Sequence, residues 1–392
     1  MRPEEIKARL IEEAKRLHID KIGFASADPF LELKERLVEH RRKGYESGFE
    51  EPDLEKRTHP EKILPQAKSL IAIALAYPSR LPNPPKSKPG AYRGIFCRAS
   101  WGRDYHHVLR ERLEALKACL LAMVPDASVE ILVDTGPLSD RAVAERAGIG
   151  WVGKNTALIT EEFGSWVYLG EMITDVYLPP DTPVTEGCGD CTACLDACPT
   201  GALVQPGQLN AQDCLAYLTQ TKQLVPEPFR EKIGNRLYGC DTCQVVCPYN
   251  RKVNFTHQRE FAPDPEKVKP LLKPILGLSN RQFRREFGEM AGSWRGKGPI
   301  QRNAIIALAH FRDPSAVPLL TRLLREDPRP MIRGTSAWAL GKIGGEEARA
   351  ALCAAEQEEK DVDVRQEVKR ALSRIQEGVG SAPSAHGGEG GS

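Results

Sequence analysis

The stretch Cys188-Gly-Asp-Cys191-Thr-Ala-Cys194-Leu-Asp-Ala-Cys198-Pro199 decides how this chain is read. Two-residue intervals let three thiolates each take one corner of an iron–sulfur cubane, and the three-residue step before the proline turns the fourth toward a second cluster. A zinc site draws its ligands from two separated pairs, not from a continuous run of four. A partner run, Cys240-x2-Cys243-x3-Cys247-Pro248, has Leu237 where its first cysteine belongs, and Cys214 between the runs is the replacement. The crossing rule then gives one [4Fe–4S] cluster to Cys188, Cys191, Cys194 and Cys247, and the other to Cys198, Cys214, Cys240 and Cys243. Of the cysteines left over, Cys119 and Cys353 sit in apolar helical stripes and read as small buried hydrophobes. Cys97 lies in a polar, glycine-punctuated loop and reads, from the residues alone, as a bystander thiol.

The chain around this segment has 392 residues, 41% hydrophobic and 28% charged, which suits two or three globular domains. Its longest apolar run, Ser69–Tyr77, is far short of the roughly 20 residues of a membrane span. The charged N-terminus has no apolar secretory region. A reducing, cytoplasmic setting is therefore expected, and cysteines there serve metal or redox chemistry rather than disulfides.

Residues 1–183 alternate helical and strand signals, the pattern of an α/β domain. Glu4–Leu17 and Tyr105–Met123 have apolar residues three and four apart, and Ser69–Tyr77, Val129–Asp134 and Trp166–Tyr177 read as strands. Leu81–Gly90 is too proline-rich for either, and Pro179, Pro180 and Pro183 read as a linker or tight connection. Residues 184–255 form the ferredoxin-like double-cluster domain. From 256 to 377 the chain is helical, and Ala307-Leu308, Ala339-Leu340 and Ala371-Leu372 recur at a constant interval. That interval points to helix pairs of HEAT type, each burying its apolar face only by stacking on the next. Residues 378–392 are rich in Gly and Ser and are expected to be disordered.

The net charge of +2 hides an asymmetry: Thr219–Arg302 holds sixteen Lys and Arg against eight Asp and Glu, leaving the rest of the chain net negative. A basic belt on a near-neutral protein suggests a phosphate-bearing partner. Arg281–Phe287 and Ser293–Asn303 mix cations with aromatics, as stacking on unpaired bases requires. The competing reading is that these arginines neutralise anionic clusters or form a solvated helix face.

With Cys97–His106 (CRASWGRDYH), Val133–Pro137 (VDTGP), Gly150–Thr156 (GWVGKNT), the cysteine runs with Cys214, and the helical tail in view, the chain resembles the epoxyqueuosine reductases. The resemblance runs from Ile6 to Ile375. These are cobalamin-dependent iron–sulfur enzymes of tRNA modification, akin to the reductive dehalogenases. The resemblance implies reduction of the epoxide of epoxyqueuosine, at the wobble position of a tRNA, to the alkene of queuosine. It implies cobalamin in a cavity between the N-terminal and cluster domains, and two [4Fe–4S] clusters feeding it electrons from an external donor; a monomer is expected, though nothing in the residues fixes the oligomeric state. Asp104-x-His106 opens like a cobalt-ligating motif, but Leu109 stands where that motif has glycine, so His106 is not assigned as an axial ligand.

Opening an epoxide C–O bond leaves an alkoxide, which calls for a general acid. Asp134 ends a strand pattern and precedes a turn; on the residues alone it reads as a helix N-cap, a task Ser139 or Asp140 could also serve. The resemblance instead makes it the proton donor, with a pKa raised by burial against the corrin. It also implies cofactor contacts from Arg57, Cys97, Asp134, Lys154, Asn155, Leu169, Asp241 and Thr242. Gly150 and Gly153 would allow close backbone approach to a flat ring. Lys222, Arg281, Arg284, Arg285, Arg295 and Lys297 are the candidate tRNA phosphate contacts. Two other functions fit parts of the sequence: a ferredoxin-type electron carrier, which needs no cobalamin, and a cobalamin enzyme of a free small molecule, which needs no basic belt.

Overall fold

A computed structural model describes residues 1–185 and 187–380. Ser69–Ala76 (SLIAIALA, β2) is buried at every position, as a strand covered on both faces must be. It pairs with β1 (Lys21–Ser26) on one side and β4 (Val167–Thr174) on the other, and β3 (Val129–Leu132) closes the order β1-β2-β4-β3. Helices α1 (Pro3–Arg16) and α2 (Tyr105–Met123) pack their apolar stripes on one face. The other face carries α3 (Asp140–Arg146) and a second cluster with Phe30, Leu64 and Ile149. The layering is that of an α/β domain, and every pairing in this sheet is antiparallel. Apolar periodicity marks a strand as buried without fixing its direction.

The proline stretch before the cysteines is tied down rather than free. Lys7 Nζ donates to the Pro179 carbonyl at 2.8 Å, and the Asp181 carboxylate accepts from the Phe24 amide at 3.0 Å. A short parallel ladder, Ile95–Phe96 beside Arg236–Tyr238, stitches the N-terminal part to the second cysteine run.

The C-terminal helices are α4 (Lys297–His310), α5 (Val317–Glu326), α6 (Pro330–Ile343), α7 (Glu346–Glu358) and α8 (Val362–Gly380). Ala307-Leu308 and Ala339-Leu340 are fully buried at equivalent places in α4 and α6, with Ala371 in α8, so the repeat spacing is a packing repeat. Helix α8 takes in residues 378–380 of the stretch expected to be disordered; residues 381–392 lie outside the described residues. Among the described residues no helix is long and apolar enough to cross a membrane.

The cluster segment and the helical repeats share one core. Leu215, Leu218, Val225, Ile233 and Leu237 belong to the same apolar cluster as Ile300, Ala304 to Ala309 and Ile375. Two cations of the basic belt are interior. Arg302 donates to the carbonyls of Leu218, Thr221 and Gln223, each at 2.7 Å, fixing the loop that follows Cys214. Arg230 makes a bidentate pair with Glu367 of α8 at 2.7 and 2.9 Å, with side chains 3% and 6% exposed.

Removing one partner of a buried ion pair leaves an uncompensated charge and costs about 3–5 kcal/mol. Glu367→Gln is therefore expected to speed amide hydrogen exchange throughout α8 and to lower the thermal midpoint. Arg230→Met combined with Glu367→Leu should restore most of both, because it removes the stranded charge as well as the pair.

Candidate functional site

The first cysteine run folds as a loop, a helical turn (Ala193–Asp196) and the Cys198-Pro199 exit; the second repeats this with the turn Thr242–Val245. A cavity of about 230 Å³ has Cys188, Cys191, Cys194 and Cys247 in its wall, together with Lys154, Asn155 and Tyr249. That volume equals several water molecules, more than a single ion fills. Cys247 from the second run thus joins three thiols of the first, as the crossing pattern requires. In the second quartet, burial pushes the Cys243 thiol up to about 12, and Cys240, Cys214 and Cys198 around it add to the rise. Burial likewise raises Cys214, with Cys240 and Cys198 as its sulfur neighbours. Cys198, though burial opposes it, is held below the usual thiol range by amides of Leu203, Thr200 and Ala202. Thiols packed this way ionise together only around a multivalent cation, so the donor chemistry fits a cluster in each quartet.

A second constellation forms where α2 begins. Asp104 caps the helix, its Oδ1 accepting from the His106 amide at 3.0 Å, and the same oxygen lies 2.6 Å from His106 Nδ1. His106 Nε2 lies 3.2 Å from Asp134 Oδ2. Burial alone would lower the His106 pKa, but the two carboxylates outweigh it and raise it to about 9. The imidazole is therefore charged at neutral pH. Its ring stacks on Tyr105 at 4.1 Å, and Tyr105 stacks on Tyr168 at 4.5 Å.

Asp134 sits just past β3 with φ of +50°, a left-handed conformation uncommon outside glycine and asparagine. Its side chain is 58% exposed. It is not a helix cap: Ser139 is the N-cap residue of α3, and the Asp134 amide donates to Asp140 Oδ2 at 2.9 Å. Partial burial would raise its pKa, yet the His106 hydrogen bond and charge, with Tyr105, hold it below the usual carboxylate range. In the polypeptide by itself the shift is therefore downward, and its cause is the His106 cation.

Four further groups lie near Asp134. Burial, then the charge of Asp134, push Asp140 up to about 6. Glu171, on β4 and 1% exposed, is raised well above the carboxylate range by burial, then by Asp140 and Asp134, and its Oε1 has no hydrogen-bond partner among the described residues. Burial lowers the Arg141 guanidinium, and Arg57 beside it adds to that; Arg57 is itself lowered by burial. The half-buried Arg57, the exposed Arg141 and the unpaired buried carboxyl of Glu171, beside an exposed aspartate, fit a large ligand rimmed by amides and a phosphate, which is the surface cobalamin presents. Leu169 lies on the same face of β4 as Glu171, two residues away.

The other expected cofactor contacts adjoin the two cysteine runs. Lys154 and Asn155 line the first cysteine cavity, where Lys154 Nζ donates to the Gly189 carbonyl and the buried Asn155 Nδ2 has no partner among the described residues. Asp241 accepts from the Arg98 amide at 3.1 Å and from its guanidinium at 2.8 Å. Thr242 Oγ1 lies 3.3 Å from Cys240 Sγ. Cys97 is no bystander in position: a Cβ on Gly239 would lie 2.3 Å from its sulfur, so it packs against the backbone of the second run. Gly150 and Gly153 do not open onto a ring; added Cβ atoms would meet the Ile159 carbonyl at 2.1 Å and the Ile159 side chain at 2.4 Å. Cys353 is exposed on α7, and Cys119 is half-buried, so neither is the fully buried small hydrophobe expected.

Among the candidate phosphate contacts, Lys222, Arg281, Arg284 and Arg285 are exposed, the three arginines on a short helix (Asn280–Phe287) whose Phe283 and Phe287 face inward. Lys297 and Arg295 are engaged: Lys297 Nζ donates to the Leu278 carbonyl at 2.8 Å and Arg295 Nε to the Gln220 carbonyl at 3.1 Å. The sequence reading missed His106, Asp140, Arg141 and Glu171 as site residues. Glu171 carried a usable signal, a charge inside the otherwise uncharged strand VYLGEMIT.

Family profiles match three parts of the chain: a 4Fe-4S double cluster binding domain over 187–250, Epoxyqueuosine reductase QueG, DUF1730 over 57–135, and HEAT repeats over 296–373. The epoxyqueuosine reductase of Bacillus cereus is 60% identical over 372 residues, 95% of this chain and 98% of its own length. A crystal structure of an epoxyqueuosine reductase with an epoxyqueuosine-modified tRNA-Tyr stem loop superposes with a TM-score of 0.93 at 57% identity, covering 95% of this chain and 99% of that one. Another, from Bacillus subtilis with the aspartate catalytic loop swung out of the active site, has the same TM-score, identity and coverage. With a relative of this identity spanning nearly its whole length, the chain belongs to the epoxyqueuosine reductases.

Proposed function

We propose that this chain reduces the epoxide of epoxyqueuosine in the anticodon loop of a tRNA to the alkene of queuosine, using two electrons and two protons and releasing water. The observation that carries the reading is the hydrogen bond between the His106 imidazolium and the exposed carboxylate of Asp134, which places a mobile proton at a solvent-facing acid. When bound, cobalamin would supply the two electrons that the epoxide takes up, and clusters held by the two cysteine quartets would link it to an external donor.

The groups that would hold the cofactor are Arg57, Arg141 and Glu171, with Leu169 and Cys97 as apolar and sulfur contacts. Lys154, Asn155 and Thr242 are better placed to serve the clusters, Asn155 Nδ2 as a donor to cluster sulfur, and Asp241 to anchor Arg98. Asp134 gives its proton to the epoxide oxygen as negative charge grows there. Closing the pocket over Asp134 removes water, which disfavours the His106–Asp134 ion pair relative to its neutral form and moves the proton onto the carboxyl. Asp104 holds the imidazole in the orientation that directs Nε2 at Asp134. A second proton then converts the released oxygen to water. The enzyme acts as a cytoplasmic monomer, and the exposed cations Lys222, Arg281, Arg284 and Arg285 take the tRNA backbone.

Asp134→Asn should lower single-turnover epoxide reduction by at least about 10²-fold while cobalamin and iron content stay at wild-type levels. Because the His106 pKa is raised, its proton is present below about pH 9 and lost above it. The wild-type rate is therefore expected to fall on the alkaline side near that value, and His106→Gln should move the alkaline limb to lower pH; an unmoved limb would exclude His106 from the proton path. Replacing Arg281, Arg284 and Arg285 together by Gln should flatten the plot of log binding constant for tRNA against log salt by about 2–3 units of slope.

A further inference from the structure

Four of the five tryptophans are interior: Trp101, Trp151, Trp166 and Trp338 are 2–4% exposed. Trp294 is 52% exposed, and Phe49, from a distant loop, stands beside it at 43%. Exposed aromatic rings are costly to leave bare, and these two are held rigidly. Trp294 Nε1 donates to Gln220 Oε1 at 2.9 Å, and Phe49 meets the indole edge-on, 5.4 Å between centroids at 88°. Phe49 rests in turn on Tyr217, 5.3 Å away in the helical turn that follows Cys214. The Arg295 guanidinium lies 4.8 Å from the Trp294 ring and 5.0 Å from the Phe49 ring, and Gln220 fixes it as well through its carbonyl. The result is a preorganised aromatic step with a cation at its side. Its position is specific: the turn leading into Trp294 packs Gly292 against Tyr238, where a Cβ would lie 3.2 Å from the ring. The same segment is tied to the proton-bearing groups: the Glu289 carbonyl accepts from the Asp104 amide at 2.7 Å, and Asp104 holds His106 against Asp134. The step therefore stands on the Asp104 side of the His106–Asp134 pair.

We propose that Trp294 and Phe49, with Arg295, form a stacking site for an unpaired nucleobase adjoining the reacting nucleoside in the anticodon loop, an assignment that rests on the tRNA reading above. A nucleobase suits the site because every base offers a π-face, because the guanidinium can meet its flanking phosphate, and because the surrounding surface is basic. Stacking a neighbour here holds the loop open while the modified base enters the pocket, so the protein gains affinity for the unstacked loop rather than for the duplex stem.

The test is a coupling measurement on the cluster-loaded protein with synthetic anticodon stem-loop RNAs, carrying guanine at the wobble position and an abasic site at one other loop position at a time. Trp294→Ala is expected to weaken binding of the intact stem-loop about tenfold or more, and Trp294→Phe to recover most of that loss. At one position beside the wobble nucleotide, the abasic site should cost the wild type about as much and cost Trp294→Ala nothing. Equal abasic penalties in wild type and Trp294→Ala at every position would overturn the stacking site while leaving the reaction untouched. Failure of the wild type itself to bind the intact stem-loop would overturn the tRNA reading and the stacking site with it. Iron content and circular dichroism of each variant separate a lost contact from a lost fold.

Discussion

Eight thiols gathered between Cys188 and Cys247 cannot ionise side by side in a partly buried setting unless multivalent cations sit among them. The regular elements that carry or adjoin them are four-residue helical turns and two- or three-residue strands, which have no stability in isolation. Iron is thus part of the fold of this segment rather than cargo added to a finished protein. The consequence spreads, because Leu215, Leu218 and Leu237 are part of the core on which the C-terminal helices stack. Arg302 and Arg230 reach into the same region from α4 and toward α8, so the helical repeats and the cluster segment stabilise each other.

How far the sequence could be read follows from which interactions are local. The cysteine spacing, the strand Ser69–Ala76 and the helix Tyr105–Met123 depend on residues close together in the chain, and each lies within a residue of where its pattern put it. The ladder between Ile95–Phe96 and Arg236–Tyr238 joins segments about 140 residues apart and has no pattern of its own to read. The same holds for the charge state of Asp134. Burial was foreseeable at a strand end beside a cofactor, but the opposing cation comes from His106, and its placement depends on how α2 crosses the sheet. Arg302 shows the converse error: it lies in a stretch that looks like a nucleic-acid surface, yet its guanidinium is spent on backbone carbonyls in the interior.

The site separates two jobs in space. In the proposed reaction electrons come from the cysteine side, where Cys97 and Gly239 bring the N-terminal domain into contact with the second run. Protons come in it from the α2 side, where Asp104, His106 and Asp134 are joined in sequence. Keeping the imidazolium away from the cluster thiolates lets each side hold its own charge. With its left-handed backbone Asp134 turns its exposed carboxyl to His106, and Ser139 takes the N-cap position of α3.

The central claim is that this one segment holds two tetranuclear centres, with Cys214 completing the second. Quantitative iron and acid-labile sulfide analysis of anaerobically reconstituted protein, wild type against Cys214→Ser, tests it most directly. The account predicts about eight of each per wild-type chain. It predicts a selective loss from the Cys198–Cys243 quartet in the variant, seen as loss of the magnetic interaction between two reduced clusters. Zinc in place of iron, or about four irons per chain unchanged by the substitution, would contradict it.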